Sequence, residues 1–143
     1  GQRIATIYKG KGPAEKRKRR LRLRQNKTCK FRDIQAAVDC YGAFVVGTPP
    51  EGFPLQVSPL ADRIGDLQTP LLGLFGNEDS YPSPDQVDEL EKLLQEKGKT
   101  YEFHRYDDAG HAFFAVDRPS YRPAAAVDGW ERITAFLARH LGA

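Results

Sequence analysis

Cysteine is scarce in this chain, and long apolar runs are missing. Its 143 residues include two cysteines, Cys29 and Cys40. Two make neither a disulfide framework nor a zinc-ligand pattern, which points to a reducing, cytoplasmic setting. No stretch approaches the roughly 18 uninterrupted apolar residues of a membrane span, so no membrane partner is expected. The first residues are polar and bases follow without an apolar segment, so no secretory leader is expected either. Acid is nearly absent from residues 1–32, where Glu15 stands alone against 13 of the 22 Lys and Arg, a net charge of +12. The remaining 9 bases meet 18 acids, a net of −9, so the overall +3 hides two segments of different character. The division predicts a basic N-terminal segment over 1–32 and an α/β domain over 33–143.

What is present after Phe31 alternates in the manner of α/β proteins. RIATIY (3–8) suits a short strand, KGKGP (9–13) breaks it, and EKRKRRLRLRQNKTCK (15–30) has few apolar residues to bury. A charge run of that kind is usually solvated. IQAAVDCYG (34–42) reads as a buried strand and VVGTPPEGFPLQVSP (45–59) as a loop. ADRIGDL (61–67) reads as a helical turn and TPLLGLFGNED (69–79) as a second buried strand. Ser83 is placed to cap a helix, with Pro84 in its first position and Asp85 at its positive end. Val87, Leu90, Leu93 and Leu94 form its apolar face and Gly98 ends it. YEFHRYD (101–107) alternates as a strand. A last helix spans about Ala124 to Leu141, with Val127, Trp130, Ile133, Phe136, Leu137 and Leu141 at helical spacing.

Strand and helix in alternation imply parallel strands, and such sheets do their chemistry beyond the carboxyl ends of the strands. Two loops lie there: GNEDSYPS after the second strand and DDAGHAFF after the third. Asp79 and His111 therefore belong at one edge of the sheet, on adjacent strands. An acid there can orient an imidazole and stabilise its protonated form, while the imidazole activates a nucleophile. Acid before histidine is also the chain order of α/β hydrolases. Glu78 is the alternative acid. Asn77, Glu78 and Asp79 also suit a plain turn, and a lone histidine beside phenylalanines is commonly structural. His104, inside a strand, and His140, near a helix C-terminus, read as structural.

Four stretches together resemble the C-terminal part of dienelactone hydrolase-family proteins: AAVDCYG, TPLLGLFGNEDSYPSPDQVDELEKLL, YEFHRYDDAGHAFF and RPSYRPAAAVDGWERITAFLARHL. The resemblance covers about 110 of the 143 residues. It implies a partial α/β-hydrolase fold: three layers, with a mostly parallel sheet flanked by helices. It implies that Asp79 and His111 are the triad acid and histidine, that esters and lactones are the substrates, and that neither metal nor organic cofactor is needed. The family commonly uses a cysteine nucleophile in a turn like G-x-C-x-G-G. Neither that pattern nor G-x-S-x-G occurs here. The best positional match, RIATIYKGKG, puts Lys9 near the nucleophile's place, where an exposed lysine is mostly protonated. Cys40 reads as packed in a strand. Cys29 follows bases that can lower its pKa but lies at the wrong end of its segment. Ser80, Ser83 and Ser120 have no elbow around them.

Three accounts of this follow. The chain is a fragment lacking its catalytic half, or residues 1–32 are a divergent or frame-shifted replacement, or the basic arm serves a new role. The charge shift near Phe31 favours the second. The functions expected are a dienelactone hydrolase-like esterase, or a non-catalytic hydrolase fold that self-associates through an exposed sheet edge. Nucleic-acid binding by residues 9–30 is the weakest, since Tyr8 and Phe31 are the only aromatics near the basic run.

Overall fold

The computed structural model describes residues 34–54 and 57–142. Strand β1 (Ala37–Cys40), a 3-10 turn (Ala61–Asp66), strand β2 (Leu71–Gly76), helix α1 (Pro84–Glu96), strand β3 (Tyr101–Tyr106) and helix α2 (Pro123–Leu141) follow in order. The strands lie β1-β2-β3 and are parallel throughout, with Val38 opposite Leu72 and Leu74 opposite His104. The expected three-layer α/β architecture is present.

Alternation along the strands fills two cores. Val38, Leu72 and Leu74 face α2 and pack with Phe113, Ile133 and Phe136. Phe75 points the other way, toward Val46, Ile64 and the Val87, Leu90 and Leu94 face of α1. Leu72 and Leu74 have no exposed surface, as a middle strand covered on both faces requires.

Helix α1 begins where the sequence places it. The Ser83 hydroxyl accepts the Gln86 N–H at 3.3 Å, and the Gln86 side chain accepts the Ser83 N–H at 3.1 Å. This reciprocal box satisfies two otherwise orphaned donors. Gly98, at φ +60°, lies just beyond the helix C-terminus. Helix α2 ends on Gly142 in the left-handed region.

Three readings are corrected. The first strand is four residues long rather than nine, because only Ala37 to Cys40 find partners, on Leu71 to Leu74. Val127 and Trp130 share the helical spacing of α2 but not its buried face, and are 59% and 61% exposed. Alternation in β3 does not become inside and outside: all six of its residues are half-buried, since it is an outer strand of the described sheet. On its α2 side Glu102, His104 and Tyr106 form a polar row. The Tyr106 hydroxyl donates to Asp128 at 2.8 Å, His104 meets Glu102 at 2.9 Å, and Arg139 pairs with Glu102.

Candidate active site

The site forms where β2 and β3 end. Gly76 closes β2, and a Cβ there would fall inside the carbonyl of Ala109, so this approach requires glycine. The Asn77 N–H donates to the Tyr106 carbonyl and the Glu78 N–H to the Ala109 carbonyl, both at 2.9 Å. The Asn77 amide also donates to Asp107 at 2.6 Å. The two loops that the sequence singled out are thus stitched together by backbone.

Stitching brings Asp79 to His111. His111 Nδ1 lies 2.8 Å from Asp79 Oδ2. The other carboxylate oxygen, Oδ1, accepts the Tyr81 N–H at 2.8 Å. The Asp79 side chain is 3% exposed and that of His111 37%. A buried carboxylate therefore holds an imidazole whose outer part reaches solvent. Its bond to Asp79 raises the His111 pKa above the ordinary value, against an opposing effect of burial and a smaller one from the Arg118 charge.

Packing fixes the ring as well. Tyr41 sits edge-on to His111 with centroids 5.0 Å apart, and its own N–H donates to the Leu74 carbonyl at 2.9 Å. Tyr41 takes φ +47°, a region that disfavours side chains, immediately after β1. Two residues beyond the histidine, Phe113 has no exposed surface and anchors the loop in the core. Beside His111 a recess of about 320 Å³ opens, walled by Phe44, Phe53, Tyr81 and Glu78.

The other candidates lie apart from this pair or outside the description. Glu78 is exposed, and its carboxylate has no partner among the described residues. Cys40 packs against the α2-side core, and burial, then the Asp39 charge, push its thiol up to about 11. Ser83 is occupied as the α1 cap, and the Ser120 hydroxyl donates weakly to the Ala112 carbonyl at 3.5 Å. Ser80 lines the recess. His104 belongs to the polar row on β3, and the ring of His140 packs 4.5 Å from Phe136. Lys9 and Cys29 lie outside the described residues. Sequence reasoning missed Tyr41, Phe44, Phe53, Tyr81 and Arg118. Tyr41, Phe44 and Tyr81 stand just past strand ends, which is the signal that points to them, whereas Phe53 and Arg118 lie farther along their loops and carry no such signal.

Among the described residues no helix is long and apolar enough to cross a membrane, and no group of three or more His, Cys, Asp or Glu is placed to hold a metal ion.

Residues 22–141 match the family model described as "Dienelactone hydrolase family". The chain belongs to this family. The dienelactone hydrolase match starts within the basic segment, ten residues before its expected end. The carboxymethylenebutenolidase of Rhodococcus opacus is 34% identical over 103 residues, covering 71% of this chain and 40% of that protein. An Escherichia coli K12 protein named "Putative carboxymethylenebutenolidase" is 36% identical over 109 residues, covering 76% of this chain and 39% of that one. The crystal structure titled "Putative Dienelactone Hydrolase" from Klebsiella pneumoniae superposes with a TM-score of 0.64 at 36% identity, over 74% of this chain and 42% of that one. The fold is that of an α/β hydrolase, and the chain spans about two fifths of the length of these dienelactone hydrolase relatives.

Proposed function

We propose that Asp79 and His111 are the acid and histidine of a site that hydrolyses ester or lactone bonds. The observation that carries this is the 2.8 Å contact between a buried Asp79 carboxylate and a half-exposed His111 ring at the mouth of a recess. Asp79 accepts a hydrogen bond from the Nδ1–H and fixes the tautomer, so Nε2 is the nitrogen that accepts a proton. His111 would remove the proton of a nucleophile as it attacks the carbonyl carbon. The C–O bond to the leaving alkoxide then breaks, and the imidazolium returns that proton to the alkoxide oxygen. Water repeats the cycle on the acyl intermediate. Family membership and the relatives' name, carboxymethylenebutenolidase, support a lactone as substrate. Cys40 is a poor nucleophile with its thiol held protonated, and Ser83 is committed to its cap. We assign the nucleophile to a group outside the described residues.

The test is hydrolysis of an activated ester and a simple lactone by the purified chain beside His111→Ala. Turnover that disappears in the variant supports the assignment, and labelling of Lys9 and Cys29, with Cys40 as the control, then locates the nucleophile. Equal background rates in both chains sink it.

A second reading draws on β1. Within the described sheet it pairs with β2 alone, so one edge carries backbone groups without a strand partner among the described residues. Such an edge favours self-association without turnover. Light scattering decides: a monomer at tens of micromolar ends this reading.

A further inference from the structure

His111 stands in the segment between Tyr106, where β3 ends, and Pro123, where α2 begins. Beyond the histidine that segment is built of local turns. The Ala115 N–H donates to the Ala112 carbonyl, the Arg118 N–H to Ala115 and the Tyr121 N–H to Arg118, at 2.9–3.0 Å. Each bond reaches back three residues, and none of these turns spans His111. Arg122 does span it. Its Nε donates to the Asp108 carbonyl at 2.8 Å, before the histidine. Its backbone N–H donates to the Phe113 carbonyl at 3.1 Å, after it. Its Nη1 donates to the Pro119 and Tyr121 carbonyls at 3.1 and 3.2 Å, which holds the guanidinium itself in place.

The rigid fork of donors suits this use, since one planar group reaches several carbonyls at once. The clamp also has a firm base. The Arg122 carbonyl accepts the Ala126 N–H at 2.9 Å as α2 begins, and Ala126, Ile133 and Phe136 bury that helix in the core. The turn it grips is the one stitched to the Asp79 loop, because the neighbouring Ala109 carbonyl accepts the Glu78 N–H at 2.9 Å. We propose that Arg122 is a positioning residue for His111: its fork and its backbone N–H set the path of the chain on both sides of the ring, and thereby the Asp79–His111 geometry. The inference rests on the Asp79–His111 reading and adds to it a residue that does not line the recess.

Arg122→Gln, Arg122→Lys and Arg118→Ala test this on the full chain, with the His111 ring followed by NMR as pH is varied. Arg118 lies in the same segment, and its charge lowers the His111 pKa, so its removal is expected to move the titration up. A charge effect alone at Arg122 would act in that same direction. Loss of the clamp acts in the opposite one, because the bond to Asp79 is the largest cause of the raised value. Arg122→Gln is therefore expected to move the His111 titration down. Arg122→Lys keeps the charge and loses the fork, and is expected to move it down by less. In an active chain kcat is expected to fall roughly tenfold or more in Arg122→Gln with KM little changed, since misplacing a catalytic group by about 1 Å costs up to about 100-fold. A His111 titration that stays put or rises in Arg122→Gln overturns the proposal, as does a kcat like the wild type's in an active chain. Should Arg122→Gln fail to fold, the sign of the shift in Arg122→Lys decides. The titration needs no turnover. One that ignores Asp79→Asn sinks the Asp79–His111 reading, and one that responds to Asp79→Asn but not to Arg122→Gln sinks this inference alone.

Discussion

Gly76 and Ala109 touch backbone to backbone, with no room for a methyl group between them. One strand end and the opposite loop meet there, and the Asp79–His111 contact lies just beyond. Gly76→Ala must push the Ala109 carbonyl away and separate the two loops. The cost should be on the order of 2–4 kcal/mol, as for other overpacked sites. Thermal unfolding should show a clear fall in Tm. In the folded fraction the His111 titration should move down as its carboxylate recedes. A Tm and a His111 titration both like the wild type would show that the loops do not depend on this contact.

The His111 titration itself is a second prediction. Its pKa lies above the ordinary value, chiefly through Asp79, while burial and Arg118 act against it. Asp79→Asn removes the charge and leaves the burial, so the value should drop. Arg118→Ala should move it slightly up. Stability follows with a definite sign. A raised folded-state value means that folding favours the protonated ring. That stabilisation is complete below the unfolded-state pKa and is lost as pH rises through the folded-state one. Urea unfolding as a function of pH should therefore show a decline through the His111 titration in the wild type, and the decline should shrink in Asp79→Asn. The opposite ordering would mean that Asp79 does not hold the charged ring.

Much of this geometry is legible in the sequence because it rests on backbone rules. Parallel order and the location of GNED and GHAFF at one edge follow from strand and helix alternating. Ser83 announces its cap by residue type and by the glutamine three positions on. The recess is not legible, because Phe44 and Phe53 come from the loop after β1 and Tyr81 from the loop after β2, and they meet only through tertiary packing. Spacing alone also misplaces Trp130, since periodicity says which residues share a face and not where that face ends.

Phe113 and Trp130 make that last point measurable. Both are large aromatics of the C-terminal third, yet Phe113 is fully buried and Trp130 is 61% exposed, touching Phe114 at 5.8 Å. Phe113→Ala should cost about 3–5 kcal/mol, the range for emptying a packed aromatic site. Trp130→Ala should cost less than about 1 kcal/mol. Denaturant midpoints compare them directly. Equal losses would place Trp130 in a core that this packing does not show.

Asp39 supplies a pH prediction of opposite origin. It lies in β1 beside Cys40, and burial lifts its carboxyl from 3.8 to about 6, partly offset by a backbone hydrogen bond from Gly42. A folded value above the unfolded one means that folding opposes ionisation. The penalty is absent below about pH 4 and grows as pH rises through about 6. Asp39→Asn keeps an acceptor for Gly42 and cannot ionise, so it should be more stable than the wild type at pH 8 and equal to it at pH 4. A rise from 3.8 to about 6 corresponds to roughly 3 kcal/mol, and the partial solvent contact of Asp39 holds the gain below that. The same substitution removes a charge that helps hold the Cys40 thiol near 11, so alkylation of Cys40 at pH 9 should quicken. Stability that is lost at pH 8 in the variant would mean that the Asp39 charge is favourable where it sits, through a partner on the outer side of β1.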